Sequence, residues 1–481
     1  MSEASDRPRG RRLLCARLFT GLSTAPAQRV MLGVALSLVA LVQLATLRAG
    51  HDWGGDFAMY ISHARNIVEG RPYAETGYIF NPHFPSLGPP TYPPILPLVL
   101  APVYALLGIN LDAMRIECLA FLLLALLILY SLFQERVPVG SRLAAVGVIG
   151  LNPYVRAFKD GIYAEFPFTF FLLLTLWLVE RAPSSTARRP PQLWRGVLAG
   201  LCMYLAYGTR SIGIVLVPAV VLWALVRHRR MLGYAAVAAI VALALIALQA
   251  MLIHNDAAYV ANAAANLVRL RGALWPFWSS SLSPWLTWVL ILAVSGLALT
   301  GPAGHIRHGA GPSEFLIALM VAATLAWPSS SDSPRFWLPL FPIWVKYAVE
   351  GLSACSVLKP RARRVLPVIA LSLLMTAYVP AYVLRDGKPI KGVTTRESVE
   401  LFAFIRQQTS PSAVFIFRKP RHLSLFTGRQ SSTYHQPRDY GELWAYMDSI
   451  GATHLLWSNM LGDDREYLRL FIASSSDRLR L

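Results

Sequence analysis

Residues 115–133, RIECLAFLLLALLILYSLF, determine the structural class of this chain. From Cys118 to Phe133 they contain no charged side chain. A helix that crosses a membrane needs about 20 mostly apolar residues, because the hydrocarbon core of a bilayer is about 30 Å thick. The stretch therefore predicts a membrane-spanning helix.

The composition of the whole chain supports this class. Of 481 residues, 55% are in the set AVILMFWYC and 15% are charged, and the mean hydropathy is +0.46. Soluble domains carry about 25% charged residues. This composition excludes a disordered chain, a collagen and a disulfide scaffold, and it argues against an ordinary soluble enzyme. The cysteines lie in or beside apolar stretches without metal-site spacing, at Cys15, Cys118, Cys202 and Cys355.

Ten further apolar stretches give eleven predicted spans. They are residues 30–47, 115–133, 143–155, 166–178, 196–207, 212–226, 234–253, 285–299, 315–327, 338–352 and 365–384. The alternative for the first is a signal peptide, but it is long and no small-residue cleavage site follows it. Residues 93–109 contain four prolines and are expected to form an interfacial or re-entrant helix.

The distribution of Lys and Arg between the two sides of the membrane accounts for the net charge of +19. Loops on the cytoplasmic side of membrane proteins are rich in Lys and Arg. With eleven spans, the inside segments hold twenty such residues, and the outside loops between residues 50 and 335 hold eight. We therefore expect residues 1–29 in the cytoplasm, a transmembrane domain over residues 30–391, and residues 392–481 outside. The sequence has no RNA-binding signature, and no nucleic-acid partner is expected.

Residues 392–481 predict a small α/β domain. Helical spacing covers residues 397–408 and 440–450, and apolar runs at residues 413–417 and 453–457 are typical of strands. The predicted fold is therefore an all-α polytopic membrane protein with an extracytoplasmic α/β domain at its carboxyl end.

The first outer loop, residues 50–111, contains a run of polar residues with helical spacing. Asp56, Tyr60 and His63 are four and three residues apart, so a helix beginning near Gly55 places them on one face. An alternative role for Asp56 is to cap that helix after Gly54. Capping and catalysis are compatible, because both need an exposed carboxylate at a helix start.

A second carboxylate, Glu165, stands at the outer mouth of a predicted span. An acid entering a bilayer is costly and is a functional hypothesis by default. The alternative is a solvated acid paired with a neighbouring cation. Four cations predicted at the same depth suggest an anion site, although each alone is compatible with snorkelling: Arg156, Lys159, Arg210 and Arg335.

These groups suit glycosyl transfer from a lipid phosphate. A carboxylate would deprotonate or orient the acceptor hydroxyl, and arginines would stabilise the departing phosphate. Aromatic residues in the first outer loop are candidates for a sugar or acceptor platform, although aromatic belts at membrane interfaces are a common alternative. The platform candidates are Trp53, Tyr60, His63 and Tyr92, with Tyr78 nearby.

Several segments resemble glycosyltransferases of the GT-C superfamily, which includes protein O-mannosyltransferases and lipid A aminoarabinose transferases. They are residues 56–60 (DFAMY), 64–73 (ARNIVEGRPY), 92–98 (YPPILPL), 164–168 (AEFPF), 200–210 and 335–342 (RFWLPLFP). The resemblance covers roughly residues 30–385. It implies a polyprenyl-phosphate sugar donor, with Asp56 as the catalytic acid/base residue and Glu165 as a second acid.

The sequence departs from the subgroup that has paired acidic residues, since Gly55 and Phe57 flank Asp56. A monophosphate leaving group needs less divalent metal than a pyrophosphate, so no obligatory metal is predicted. Metal ligation by His51, His63 and His83 is the alternative, although no spacing supports it.

The leading hypothesis is a membrane glycosyltransferase at the outer face of a bacterial inner membrane, with a lipid, glycan or protein acceptor. A second hypothesis is a lipid-linked sugar flippase or transporter, but the chain shows no repeat and its charges gather at one mouth. A third is a catalytically silent assembly protein, in which residues 418–422 (RKPRH) bind an anionic ligand. A solvated basic turn is the simpler explanation of that run.

Overall fold

The computed structural model of the chain describes residues 26–133, 137–182, 193–253, 275–278, 284–308, 310–326, 333–355, 357–383 and 387–480. The predicted basic segment at residues 1–25 and the arginines at positions 136, 188 and 189 lie outside the described residues, as does Cys15.

Every element that the structure describes between residues 26 and 383 is a helix, which confirms the predicted class. The helices are α1 (Pro26–Ala45), α2 (Gly55–Glu69), α3 (Ile95–Leu107), α4 (Leu111–Leu132), α5 (Val139–Gly150), α6 (Pro153–Lys159), α7 (Glu165–Glu180), α8 (Leu193–Thr209), α9 (Leu216–Arg227), α10 (Leu232–Leu252), α11 (Trp275–Trp278), α12 (Pro284–His308), α13 (Pro312–Leu325), α14 (Ser333–Trp337), α15 (Phe341–Ala354) and α16 (Pro360–Val383).

Four of the described helices are long and apolar enough to cross a membrane: Pro26–Ala45, Leu111–Leu132, Arg229–Leu252 and Pro360–Val383. Several shorter apolar helices accompany them, among them α3, α5 and α13. Helix α3 has 13 residues and is about 20 Å long. It is therefore shorter than the hydrocarbon core, as an interfacial or re-entrant segment would be.

The predicted span at residues 143–155 is wrong at its carboxyl end. Helix α5 ends at Gly150, and a separate helix, α6, begins at Pro153. The Asn152 side chain accepts hydrogen bonds from the backbone N–H groups of Tyr154 and Val155, which caps the new helix. Proline is favoured at a first helical position because it lacks the N–H that would have no partner there.

Small residues allow α8 and α10 to pack closely. A Cβ atom added at Gly200 would lie 2.4 Å from the backbone oxygen of Ala238, and one at Gly196 would lie 2.9 Å from that of Tyr234. Close backbone approach at glycine is a common mode of helix packing in membranes. This contact fixes α8, and Arg210 follows directly after the end of that helix.

Residues 387–480 form an α/β domain, here called the terminal domain. Its elements are α17 (Arg396–Gln408), β1 (Val414–Ile416), α18 (Pro420–Thr427), β2 (Gln430–Ser432), α19 (Tyr440–Ser449), β3 (His454–Leu455) and α20 (Arg469–Ser474). The strands are parallel in the order β2-β1-β3, with Phe415 opposite Ser431 and His454. The sequence predicted α17, β1, α19 and β3, but not α18 or β2.

The terminal domain packs against the first loop, residues 50–111. Single β-bridges join Gly50 to Ile390 and Tyr78 to Ser431. A shared core contains Phe57 of α2 together with Phe402 and Leu425 of the terminal domain. This packing places α18 beside α2, the helix that carries Asp56.

Candidate active site

Two carboxylates lie in the first turns of helices. Asp56 is the second residue of α2, and Glu165 is the first residue of α7. The amino end of a helix carries a partial positive charge that stabilises a carboxylate. Gly54 occupies the cap position of α2, and no side chain caps it there. The Asp56 carboxylate therefore makes its contacts elsewhere.

Arg335 joins the two carboxylates. Its Nη1 donates to Asp56 Oδ2 at 3.0 Å, and its Nε donates to Glu165 Oε1 at 2.7 Å. Arg210 also donates to Glu165 Oε1. Glu165 is fully buried, whereas the Asp56 side chain is 27% exposed. The other oxygen of Glu165, Oε2, is buried and has no hydrogen-bond partner within the described part of the chain.

The hydroxyl, the ring and the backbone N–H of Tyr92 all contact one face of α2. Its hydroxyl donates to Asp56 Oδ1 at 2.8 Å, and its ring lies 5.2 Å from the ring of Tyr60. Its backbone N–H donates to Nε2 of His63 at 3.1 Å. The helical face predicted from the spacing of Asp56, Tyr60 and His63 is therefore the face that binds Tyr92.

Arg421, from α18 of the terminal domain, also reaches this site. Its Nη1 donates to the Tyr92 hydroxyl at 2.6 Å and lies 3.8 Å from Asp56 Oδ1. Its Nη2 donates to the carbonyl of Pro89 at 3.3 Å, and its guanidinium lies 5.0 Å from the ring centres of Tyr78 and Tyr92. The side chain is 2% exposed.

The sequence alone presents residues 418–422 as an anion-binding run or a solvated turn, and it does not place Arg421 beside Asp56. A local signal was present, since Pro420 begins and Gly428 ends a short helix. Proline at a helix start and glycine after its end is a recognisable pair. That signal predicts α18, although it does not predict what α18 packs against.

The charges around Asp56 keep it ionised. Burial raises the pKa of the Asp56 carboxyl, but the positive charges of Arg335 and Arg421 outweigh burial and hold that pKa below its usual value. Burial lowers the pKa of His63 to about 4. His63 is therefore neutral near pH 7, as expected for a ring whose Nε2 accepts the N–H of Tyr92 and whose Nδ1 donates to the carbonyl of Tyr73.

Two predicted phosphate ligands make structural contacts instead. Lys159 is buried, and its ammonium donates to the Thr46 carbonyl at 2.7 Å and to Asp160 Oδ1 at 2.5 Å. Arg156 donates to the Ala381 carbonyl at 2.6 Å and stacks on a nearby tyrosine ring. These acceptors lie just after α1, just after α6 and within α16. The structure thus gathers Arg210, Arg335 and Arg421 around the two carboxylates and places Arg156 and Lys159 in other contacts, while phosphate binding by any of these cations stays a prediction.

Two predicted platform residues are also occupied by structural contacts. Trp53 packs edge-on against Phe402, Phe417 and His422 of the terminal domain. His63 is fully buried with both ring nitrogens hydrogen-bonded. Trp53 therefore lies at the interface with the terminal domain and His63 contacts Tyr92, while Tyr60 and Tyr92 lie beside Asp56.

No group of three or more His, Cys, Asp or Glu side chains suited to a metal ion occurs among the residues that the structure describes. His83, one of the alternative ligands, stacks on His435 at 4.6 Å. His51 Nδ1 lies 3.3 Å from Asp52 Oδ1, and its ring centre lies 3.8 Å from that of Phe57 at a tilt of 38°.

A polar cleft of about 370 Å³ opens between the first loop and the terminal domain. It is lined by Arg65, Arg71, Glu75, Thr76, Gly77, Ser424, Gly428 and Gln430. Helix α2 carries both Asp56 and Arg65, and nine residues of helix span about 14 Å. Arg65, at the edge of the cleft, therefore lies about 14 Å along the helix axis from Asp56.

Comparison with known proteins gives one family match. Residues 91–254 match the family described as dolichyl-phosphate-mannose-protein mannosyltransferase. No curated protein sequence matches the chain.

Solved structures share the fold at low sequence identity. ArnT from Cupriavidus metallidurans bound to undecaprenyl phosphate has a TM-score of 0.54 and 14% identity, covering 95% of this chain and 96% of that one. The apo state of the same protein has a TM-score of 0.53 and 13% identity, with 88% and 89% covered. An oligosaccharyltransferase from Archaeoglobus fulgidus, tethered to an acceptor peptide containing the NVT sequon, has a TM-score of 0.56 and 13% identity, with 88% and 68% covered.

Proposed function

We propose that this chain transfers a sugar from a polyprenyl-phosphate carrier to an envelope acceptor at the outer face of a bacterial inner membrane. Its fold and its sequence match support a glycosyltransferase of the GT-C superfamily. One similar protein, the ArnT from Cupriavidus metallidurans, is described with bound undecaprenyl phosphate, and the oligosaccharyltransferase from Archaeoglobus fulgidus with an acceptor peptide. The excess of Lys and Arg on the predicted inside segments supports the orientation.

The observation that carries the proposal is the bridge from Arg335 to both carboxylates. Two acids, Asp56 and Glu165, are joined to three guanidinium groups, those of Arg210, Arg335 and Arg421. The network therefore carries one surplus positive charge. A sugar linked through a single phosphate carries one negative charge, so this donor would neutralise the network.

The same groups suit the chemistry of transfer. The acceptor oxygen forms a bond to the anomeric carbon of the sugar, and its proton passes to the Asp56 carboxylate. The bond from that carbon to the phosphate oxygen breaks, and its electron pair stays on the phosphate. Arg210 and Arg335 stabilise the charge that develops there through planar hydrogen bonds.

Glu165 would position Arg210 and Arg335 to bind the donor phosphate. Its Oε1 accepts from Arg210 and Arg335, while its buried Oε2 lacks a partner within the described residues. A buried carboxylate oxygen without a donor is costly. A hydroxyl of the bound sugar or acceptor would satisfy it, so Glu165 would also orient the substrate.

The acceptor would approach through the polar cleft beside Arg65. Hydroxyl, amide and guanidinium groups line this cleft, and such groups bind the hydroxyls of a glycan or the polar groups of a peptide. The cleft and the carboxylates share α2 and α18, because Ser424 lines the cleft and Arg421 reaches Asp56.

The test is the Asp56→Asn variant of the full chain, reconstituted in vesicles with a polyprenyl-phosphate sugar. Transfer should fall by about 100-fold or more, since a general base contributes about 100- to 10,000-fold. Binding of the donor, measured with a photoreactive lipid analogue, should persist. Asp448→Asn is the matched control, because Asp448 is exposed and pairs with Arg478 at 3.6 Å. Unchanged transfer by the Asp56 variant would remove this residue from the reaction.

A further inference from the structure

We infer that Arg421 is a positioning residue of the transfer reaction, through which the terminal domain completes the active site by holding Tyr92 and Asp56 in their reactive arrangement. This inference rests on the proposed function. It assigns to the terminal domain a part in catalysis, in addition to any part in acceptor binding.

The contacts of Arg421 differ from those of a solvated basic side chain. The guanidinium is buried between two tyrosine rings, and it donates to the hydroxyl of Tyr92, which in turn donates to Asp56. Its carboxylate neighbour is Asp56, at 3.8 Å. Both terminal nitrogens of Arg421 donate hydrogen bonds, while its Nε is buried without a partner among the described residues. A buried guanidinium needs a nearby negative charge to offset its own. The burial of Arg421 is therefore tied to an ionised Asp56.

The position of α18 is fixed at the same point of α2. His422 follows Arg421, and its Nε2 lies 3.0 Å from the carbonyl oxygen of Gly54, the residue that precedes α2. The indole of Trp53 packs edge-on against the His422 ring at 5.4 Å. These contacts hold the start of α18 against the start of α2. They therefore fix the Arg421 guanidinium beside Asp56 as long as the terminal domain keeps its position.

Arg421 has a role that Arg335 cannot fill. The ionisable groups facing Asp56 are Arg335 of α14, Arg421 of α18, Tyr92 of the first loop, Tyr60 of α2, and Tyr163 and Glu165 at the start of α7. Arg335 is shared with Glu165 and would turn toward the donor phosphate. Arg421 would then be the cation that stays beside Asp56, and it would keep the carboxylate ionised and aligned when the acceptor binds.

The experiment measures the protonation of Asp56 and the rate of transfer in the same full-length protein. Each variant is titrated by infrared spectroscopy with and without the added Asp56→Asn substitution. The difference between the two titrations gives the midpoint of the Asp56 carboxyl without turnover. The acidic limb of kcat/KM against pH reports the same group of the free enzyme through its activity. An arginine near an aspartate lowers its pKa by about 1 to 3 units. In Arg421→Met, both midpoints should therefore move up by about 1 to 3 pH units.

Arg421→Lys should leave both midpoints near their values in the unmodified protein, because lysine keeps the positive charge. Arg418→Met is the matched control, since Arg418 lies in the same run but pairs with Asp463 at 2.5 Å and stacks on Phe84. It should leave both midpoints unchanged. If Arg421→Met does not fold, Arg421→Gln removes the charge and keeps hydrogen-bond donors for Tyr92.

The outcomes separate this inference from the proposed function. Midpoints that stay in place in the folded Met or Gln variant would overturn the role of Arg421, even if transfer is intact. A shifted infrared midpoint in a protein that transfers no sugar from any polyprenyl-phosphate donor would overturn the proposed function alone.

Discussion

The guanidinium of Arg335 lies 3.0 Å from the carboxylate of Asp56, although 279 positions separate them in the chain. Asp56 begins a helix of the first loop, whereas Arg335 lies in a short helix late in the transmembrane part. The ion pair is partly exposed on both sides. This ion pair therefore has both a fixed geometry and access for a substrate, as groups that take part in a reaction require.

Replacing Arg335 with lysine should impair transfer severely. A lysine ammonium is a point charge and cannot contact both carboxylates and a phosphate with the planar geometry of a guanidinium. We expect kcat/KM to fall by about 100-fold or more, as for loss of one stabilising donor in a transition state. Arg396→Lys is the control, because Arg396 is 87% exposed and pairs with Glu400 on the surface of α17. A twofold effect of Arg335→Lys would contradict the bridging role.

Replacing Glu165 with glutamine should separate chemistry from donor binding. The change removes the charge shared by Arg210 and Arg335, so both guanidinium groups become more available to a phosphate. We expect kcat to fall by about 100-fold and the donor KM to stay level or decrease. Breaking a buried ion pair also destabilises a protein by about 3–5 kcal/mol, which thermal unfolding would register.

Glu400→Gln is the matched control for that variant, since Glu400 is 62% exposed. A raised donor KM with an unchanged kcat would show that Glu165 serves donor binding alone and does not act on the transfer step through the arginines.

Two buried histidines should make stability depend on pH. Burial lowers the pKa of His63 to about 4 and that of His422 to about 3, whereas an unfolded histidine titrates near 6.5. Between about pH 6.5 and pH 4 the unfolded chain binds protons that the folded chain does not, so stability falls as pH falls. Each histidine contributes a slope of about 1.4 kcal/mol per pH unit in that window.

Thermal unfolding between about pH 7 and pH 5 measures this slope. The variants His63→Gln and His422→Gln should each flatten it, whereas His454→Gln, at an exposed position, should not. A slope identical in all the variants would show that these two rings are not buried in their neutral form.

Replacing Gly200 with alanine should destabilise the packing of α8 on α10. The added Cβ would lie 2.4 Å from the oxygen of Ala238, which is backbone and cannot rotate away. Overpacking of this kind typically costs about 1–3 kcal/mol. Gly233→Ala in α10 is the control, because no atom lies within 4 Å of its added Cβ. Equal unfolding temperatures for the two variants would refute the close contact.

Filling the polar cleft should weaken acceptor binding selectively. Gln430 is exposed and lines the cleft, so Gln430→Trp places a large ring in it. We expect the acceptor KM to rise by about tenfold, the cost of roughly 1.4 kcal/mol of lost binding, while the donor KM is unchanged. Gln407→Trp, exposed in α17, is the control. An unchanged acceptor KM would place the acceptor elsewhere.

The sequence predicted features that depend on neighbours along the chain. Apolar runs near the length of a bilayer core indicated the helical class, and the spacing of Asp56, Tyr60 and His63 indicated the face that binds Tyr92. Helical periodicity repeats every 3.6 residues, so these inferences need no knowledge of distant contacts. Predicted helix ends were less accurate, as at Asn152, whose side chain caps a new helix and so divides one predicted span.

The choice of partners for the charged residues depended on tertiary structure. Charge and predicted depth do not distinguish Lys159, which neutralises the adjacent Asp160, from Arg210, which pairs with Glu165. The local pattern around Arg421 indicates a short helix but not its partner, and only the packing of α18 on α2 brings Arg421 to Asp56. Local periodicity determined which residues share a helix face. The pairing of charges across the site was decided by how the helices and the terminal domain pack, because Coulomb energy depends on distance in space and burial, and neither follows from separation along the chain.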